Sequence, residues 1–71
     1  MNKTMIGMNA GKIWILLSNN SRWTYDELKK KSGLDDIELS AAIGWLARED
    51  KVEFEIDHGD ACLFLNVNVY I

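Results

Sequence analysis

The side chains able to do chemistry are few and scattered. His58 is the only histidine, and it lies in Asp57-His58-Gly59-Asp60, flanked by carboxylates. An imidazole beside acids can bind a divalent metal weakly or change charge near neutral pH. A tight turn selects the same residues, because Gly and Asp tolerate the backbone angles it imposes, so the turn accounts for the pattern without a ligand. Cys62 is the only cysteine. It falls on an expected strand with no adjacent cation to favour the thiolate that a nucleophile needs. Ser18, Ser21, Ser32 and Ser40 stand in no nucleophile motif, and no glycine-rich phosphate loop or zinc-type Cys/His spacing is present. The chain is therefore expected to have no catalytic, metal-binding or cofactor-binding residues and not to be an enzyme.

The elements that would position any site are written most clearly between residues 23 and 52. Thr24-Tyr-Asp-Glu27 and Asp35-Asp-Ile-Glu38 each fit a capping box, in which the first side chain accepts from the backbone N–H three residues on and the Glu reaches back. Each box is bracketed by apolar staples, Trp23 with Leu28 and Leu34 with Leu39. Gly33 between them is a natural helix stop, since glycine takes left-handed angles without steric cost. Two helices, about 25–32 and 36–49, follow from local chemistry alone.

Upstream, Ile6, Ala10, Ile13, Trp14 and Leu17 recur on one face at helical period, which predicts a helix over about 4–19 with Asn2, Thr4 or Asn9 as its cap. Asn19-Asn-Ser21 turns the chain, and 22–24 is long enough for one short strand. Downstream the period changes to two. Val52, Phe54 and Ile56 alternate with Glu53 and Glu55, a half-buried strand over about 52–56. A return strand is expected over about 61–69. Leu63, Leu65, Val67 and Val69 would share one face, and Cys62, Phe64, Asn66, Asn68 and Tyr70 the other. The order is α+β, three helices and a C-terminal hairpin, in a single domain spanning 1–71.

Composition narrows the setting. A 71-residue chain has a small core, and such domains often gain stability by associating. One cysteine excludes an internal disulfide and fits a reducing compartment. The apolar run Ile13-Trp-Ile-Leu-Leu17 is far short of the roughly 20 residues needed to span a bilayer. A cytoplasmic protein without a membrane partner is expected. The net charge of −3 conceals a split. Residues 1–34 carry six cations against two anions, and residues 35–71 carry nine anions against two cations.

Helix, helix-turn-helix and terminal hairpin in this order form a winged helix-turn-helix pattern. Asn9-Ala-Gly-Lys-Ile-Trp14 and Ala42-Ile-Gly-Trp-Leu-Ala-Arg-Glu-Asp-Lys-Val-Glu-Phe-Glu55 resemble the small bacterial winged helix-turn-helix family of unknown function, over nearly the whole chain. The resemblance implies the fold and, by analogy, a place among DNA-binding folds. It brings no catalytic or ligand residues with it.

In such a fold the second helix of the pair enters the major groove with its N-terminal residues. Here that helix opens with Asp35, Asp36 and Glu38, acids that suit a helix N-terminus and oppose a polyanion. Its outward face, Ile37, Ser40, Ala41, Gly44 and Arg48, offers one cation, and the hairpin tip offers acids. Any nucleic-acid contact would fall to Lys12, Arg22, Lys29, Lys30 and Lys31, with Ser40 and Arg48. Lys29–Lys31 also suit the end of a helix dipole. Met8, Ile15, Ile37, Ala41, Gly44, Phe64 and Tyr70 have no evident place inside so small a domain and form a candidate protein-interaction surface. The end of the last strand, 67–71, would overhang its shorter neighbour and offer free backbone groups for pairing, unless it folds back over 22–24 and the first helix. A self-associating interaction module, most simply a homodimer, is the preferred expectation. A small DNA-binding regulator is the alternative.

Overall fold

The computed structural model describes residues 2–18 and 22–66, with residue 57 described by its backbone. Helix α1 spans Lys3–Leu17, capped by Asn2, whose side-chain carbonyl accepts from the Met5 N–H at 2.9 Å. It stops short of the expected end, with the Ser18 hydroxyl donating to the Ile15 carbonyl at 2.6 Å. Asn19 and the expected turn through Ser21 lie outside the described residues.

Both capping boxes form. Thr24 Oγ1 accepts from the Glu27 N–H at 3.1 Å while the Thr24 N–H donates to Glu27 Oε1 at 2.9 Å, opening α2 (Tyr25–Ser32). Asp35 Oδ1 accepts from the Glu38 N–H at 2.8 Å and the Asp35 N–H donates to Glu38 Oε1 at 3.1 Å, opening α3 (Asp36–Arg48). Between them Gly33 sits at φ 74°, its N–H donating to the Lys29 carbonyl. A side chain there would be strained, because Cβ crowds the next carbonyl in the left-handed region.

Helix α3 ends in a device the sequence did not advertise. Asp50 takes φ 58° where glycine is usual. Its N–H donates to the Ala47 carbonyl and the Lys51 N–H donates to the Leu46 carbonyl, a Schellman closure. Asn66 locks this corner. Its side-chain N–H donates to the Asp50 carbonyl at 3.1 Å and its backbone N–H to the Lys51 carbonyl at 2.9 Å. Expected on the outer face of a strand, Asn66 instead follows that strand and is 7% exposed.

The sheet has three antiparallel strands in the order β1-β3-β2: β1 is Trp23–Thr24, β2 Val52–Asp57 and β3 Asp60–Leu65. Trp23 pairs with Leu63 and Thr24 with Cys62, while Val52 pairs with Leu65 and Phe54 with Leu63. The hairpin turns on His58 and Gly59, at φ 52° and 85°, a two-residue loop of the kind that matches strand twist. The return strand ends at Leu65, before the expected limit, and 67–71 lie outside the described residues. Because β1 occupies one side of β3 and β2 the other, the long outer edge belongs to β2.

The core joins Ala10, Ile13 and Leu17 of α1 to Leu28, Leu34, Leu39, Ala42 and Leu46, with Val52 and Leu63 from the hairpin. The four staple and stripe leucines expected inward, Leu17, Leu28, Leu34 and Leu39, are buried, and Leu46 joins them. The expected inward face of β2 is only partly so. Val52 is buried, but Phe54 and Ile56 are exposed. The helices cover the base of the hairpin, where Val52 meets Leu65, and Ile56 pairs with Ala61 nearer the tip. The same strand face therefore passes from core to surface within five residues.

Candidate functional site

The junction of α2 and α3 is closed by polar contacts. Tyr25 Oη donates to Asp36 Oδ1 at 2.9 Å and lies 3.5 Å from Ser40 Oγ. Lys29 Nζ reaches the same Asp36 oxygen at 3.0 Å. The Lys29 contact, then the tyrosine hydroxyl, hold the Asp36 carboxyl below its ordinary range, and Asp36 in turn raises the Lys29 ammonium. A lysine placed this way bridges the two helices through an exposed ion pair.

Arg22 is similarly engaged. Its guanidinium contacts Glu55 Oε2 at 2.7 Å and stacks 4.6 Å from the centroid of the Phe64 ring, a cation–π arrangement. Phe64, expected as an open apolar residue on the outer sheet face, is thus half-buried beneath an arginine. Lys30, Arg48 and Ser40 are exposed, and Ser40 faces the hairpin. The expected basic set is therefore dispersed: Lys29 and Arg22 are engaged with acids, and Lys12 and Lys31 meet elsewhere.

Two of the depressions among the described residues are strongly apolar. One, about 530 Å³, lies on the outer side of α1 and is lined by Met8, Gly11, Lys12, Ile15, Leu16 and Lys31. Met8 and Ile15 are 70% and 66% exposed. Helix α1 carries no acid, so this surface is apolar and basic. The other, about 280 Å³, is a groove between α3 and the hairpin. It is lined by Tyr25, Ser40, Ile43, Gly44, Phe54, Ala61 and Leu63. Phe54 is 52% exposed, and Ile56, next but one along the same strand face, is 72% exposed. Ile37, 72% exposed, stands one helical turn before Ser40 and Ala41 on α3. Ala41 is half-buried and Gly44 exposed.

Of the residues expected to face a partner, Ile37, Ala41 and Gly44 lie on α3 beside or near this groove, while Met8 and Ile15 share the α1 depression. Tyr70 lies outside the described residues. Sequence reasoning missed Phe54, Ile56 and Ala61, because alternation shows that residues share a face and not how far the helices extend beneath it. A signal was present: a hairpin whose tip is Asp57-His-Gly-Asp60 must end in solvent, so apolar residues next to it are uncovered.

His58 is exposed at the hairpin tip, and Cys62 is buried as a free thiol. Among the described residues no group of three His, Cys, Asp or Glu side chains could hold a metal ion. No described helix is long and apolar enough to cross a membrane.

The arrangement has known counterparts. Residues 1–65 match the winged helix-turn-helix domain family DUF2582. The uncharacterized protein MJ1608 of Methanocaldococcus jannaschii is 41% identical over 49 residues, covering 66% of this chain and 70% of its own. The solution NMR structure of protein BT2368 from Bacteroides thetaiotaomicron superposes with a TM-score of 0.84 at 35% identity, over 97% of this chain and 84% of that one.

Proposed function

We propose, for a chain that belongs to the winged helix-turn-helix family DUF2582, a non-enzymatic role as a self-associating protein-interaction module. One observation carries this reading. The surface between α3 and the hairpin, where a winged helix would meet DNA, is an apolar groove with Phe54 and Ile56 exposed beside it. Duplex DNA presents phosphates and polar base edges to such a surface and needs cations and hydrogen-bond donors in return. The groove has no cation in its lining, and the hydroxyls of its Tyr25 and Ser40 lie against each other, with Tyr25 already donating to Asp36. It does supply what protein interfaces use, an apolar centre with an aromatic side chain.

The family's fold favours the other reading, a small DNA-binding regulator, and one pair of measurements separates the two. Fluorescence anisotropy against labelled random duplex at low salt is expected to show no saturable binding. Sedimentation of the same protein is expected to show mass rising with concentration. Tight DNA binding that fades steeply with added salt, from a protein that sediments as a monomer, would reverse the assignment.

A further inference from the structure

A further depression differs from the two apolar ones in carrying charge of both signs. It lies between α1 and the C-terminal end of α3, with a volume of about 290 Å³, and its lining includes Glu49 and Lys51. That volume is at the small end of ligand pockets, which run from about 300 to 1,000 Å³. We infer that it binds a free α-amino acid with an apolar side chain. The site shares no lining residue with the α3–hairpin groove and does not depend on self-association.

The charged pair selects the ligand class. Glu49 Oε2 and Lys51 Nζ stand 3.9 Å apart, and their side chains are 44% and 38% exposed. At that distance the contact is at the limit of an ion pair, so neither charge is saturated by the other. An α-amino acid carries its ammonium and carboxylate about 2.5–3.5 Å apart, a spacing fixed by the bonds at Cα. It can therefore set the ammonium on Glu49 and the carboxylate on Lys51 at once, both as charge-assisted hydrogen bonds. A ligand with a single charge answers only half of the pair.

The rest of the lining suits an apolar side chain. Trp14 from α1 and Trp45 from α3 both border the cavity, and indoles supply large apolar faces for a flat or aliphatic group. Gly7 and Gly11, one helical turn apart on α1, border it too. A Cβ on Gly7 would stand 3.9 Å from Trp45 Cζ2, an ordinary contact, and one on Gly11 would meet nothing within 4 Å. Internal packing requires neither glycine, although glycine weakens a helix interior. Their absence of side chains keeps the space open and lets a ligand approach the backbone.

The two charges are also held in place. Between them Asp50 accepts from the Asn66 side chain at its carbonyl, and the Lys51 carbonyl accepts from the Asn66 N–H. A pinned corner has less to order when a ligand arrives.

The test titrates the full chain with L-phenylalanine and follows tryptophan emission, since two of its three tryptophans border the cavity. A saturable change is expected, with a midpoint of about 0.1–1 mM. Phenethylamine and 3-phenylpropanoate, each lacking one charge, are expected to bind about tenfold more weakly or worse. Gly11→Leu should fill the cavity and abolish the response. Glu49→Gln and Lys51→Gln should each weaken binding about tenfold, and they decide the matter if Gly11→Leu loses its cooperative melt. No saturable change up to about 10 mM, or wild-type affinity retained in both glutamine variants, would overturn the site. Phenethylamine binding as tightly as the amino acid would overturn the ligand class, because the carboxylate would then contribute nothing.

Discussion

The helix-pair junction and the hairpin use similar numbers of residues in opposite ways. Between Thr24 and Glu38 almost every polar group of consequence is engaged: two capping boxes, a glycine stop, and Asp36 shared by Lys29 and Tyr25. Between Val52 and Leu65 each residue of β2 has its partner on β3, but Phe54 and Ile56 are exposed. The first region holds the fold together. The second, with the adjacent face of α3, presents a surface. A region whose own contacts are complete has little left to offer a partner, and a region with uncovered apolar side chains gains by meeting one.

Two residues apart on α3, Leu39 and Ile37 put that difference to its hardest test. Leu39 is fully buried and Ile37 is 72% exposed. Leu39→Ala is expected to destabilise the fold by about 2–5 kcal/mol through lost burial and a cavity. Ile37→Ala should stay within about 0.5 kcal/mol. Urea denaturation of both at a concentration too low for association reads the two values. A comparable loss from Ile37→Ala would mean that the outer face of α3 is structural after all.

The capping boxes come next in size. Thr24→Ala is expected to cost about 1 kcal/mol, the usual loss at an N-cap, read from the same denaturation curves. The box also has a pH signature. The Thr24 backbone N–H and hydroxyl hold the Glu27 carboxyl below its ordinary value, so its contribution is complete above the unfolded glutamate pKa. That contribution is lost as pH falls through the depressed folded value. Glu27→Gln should therefore flatten the acid limb of the stability profile, and an unchanged limb would show that the carboxylate does little there.

The smallest effect sharpens the comparison from the other side. Gly44→Ala should stabilise the isolated fold by up to about 1 kcal/mol, because alanine is the better helix former and its Cβ meets nothing within 4 Å. A thermal melt of dilute protein measures it. Destabilisation would show that the groove is narrower than described.

Wherever the determining contacts were local, the structure was legible in the residues. A capping box is decided within four positions, and Gly33 stops a helix wherever it occurs, so α2 was readable residue for residue and the start of α3 likewise. The exposure of Ile37 and Met8 was also legible, since a helix has one buried stripe and these lie off it. Long-range contacts were not. Arg22 over Phe64 joins residues far apart in the chain, and Lys29 became a helix tie only because the turn at Gly33 brought Asp36 to it. The lysine run looked like a solvated end because nothing in the run itself names its partner.

The amino-acid order alone determined the helix pair, the apolar stripes that build the core and the division of charge between the two halves, because each depends on residue type and spacing. Only the tertiary structure decided which apolar residues are left uncovered, that β3 runs between its neighbours, and that Asn66 closes the corner after α3. Those outcomes depend on where one element ends beneath another, and a strand's alternation carries no measure of that distance.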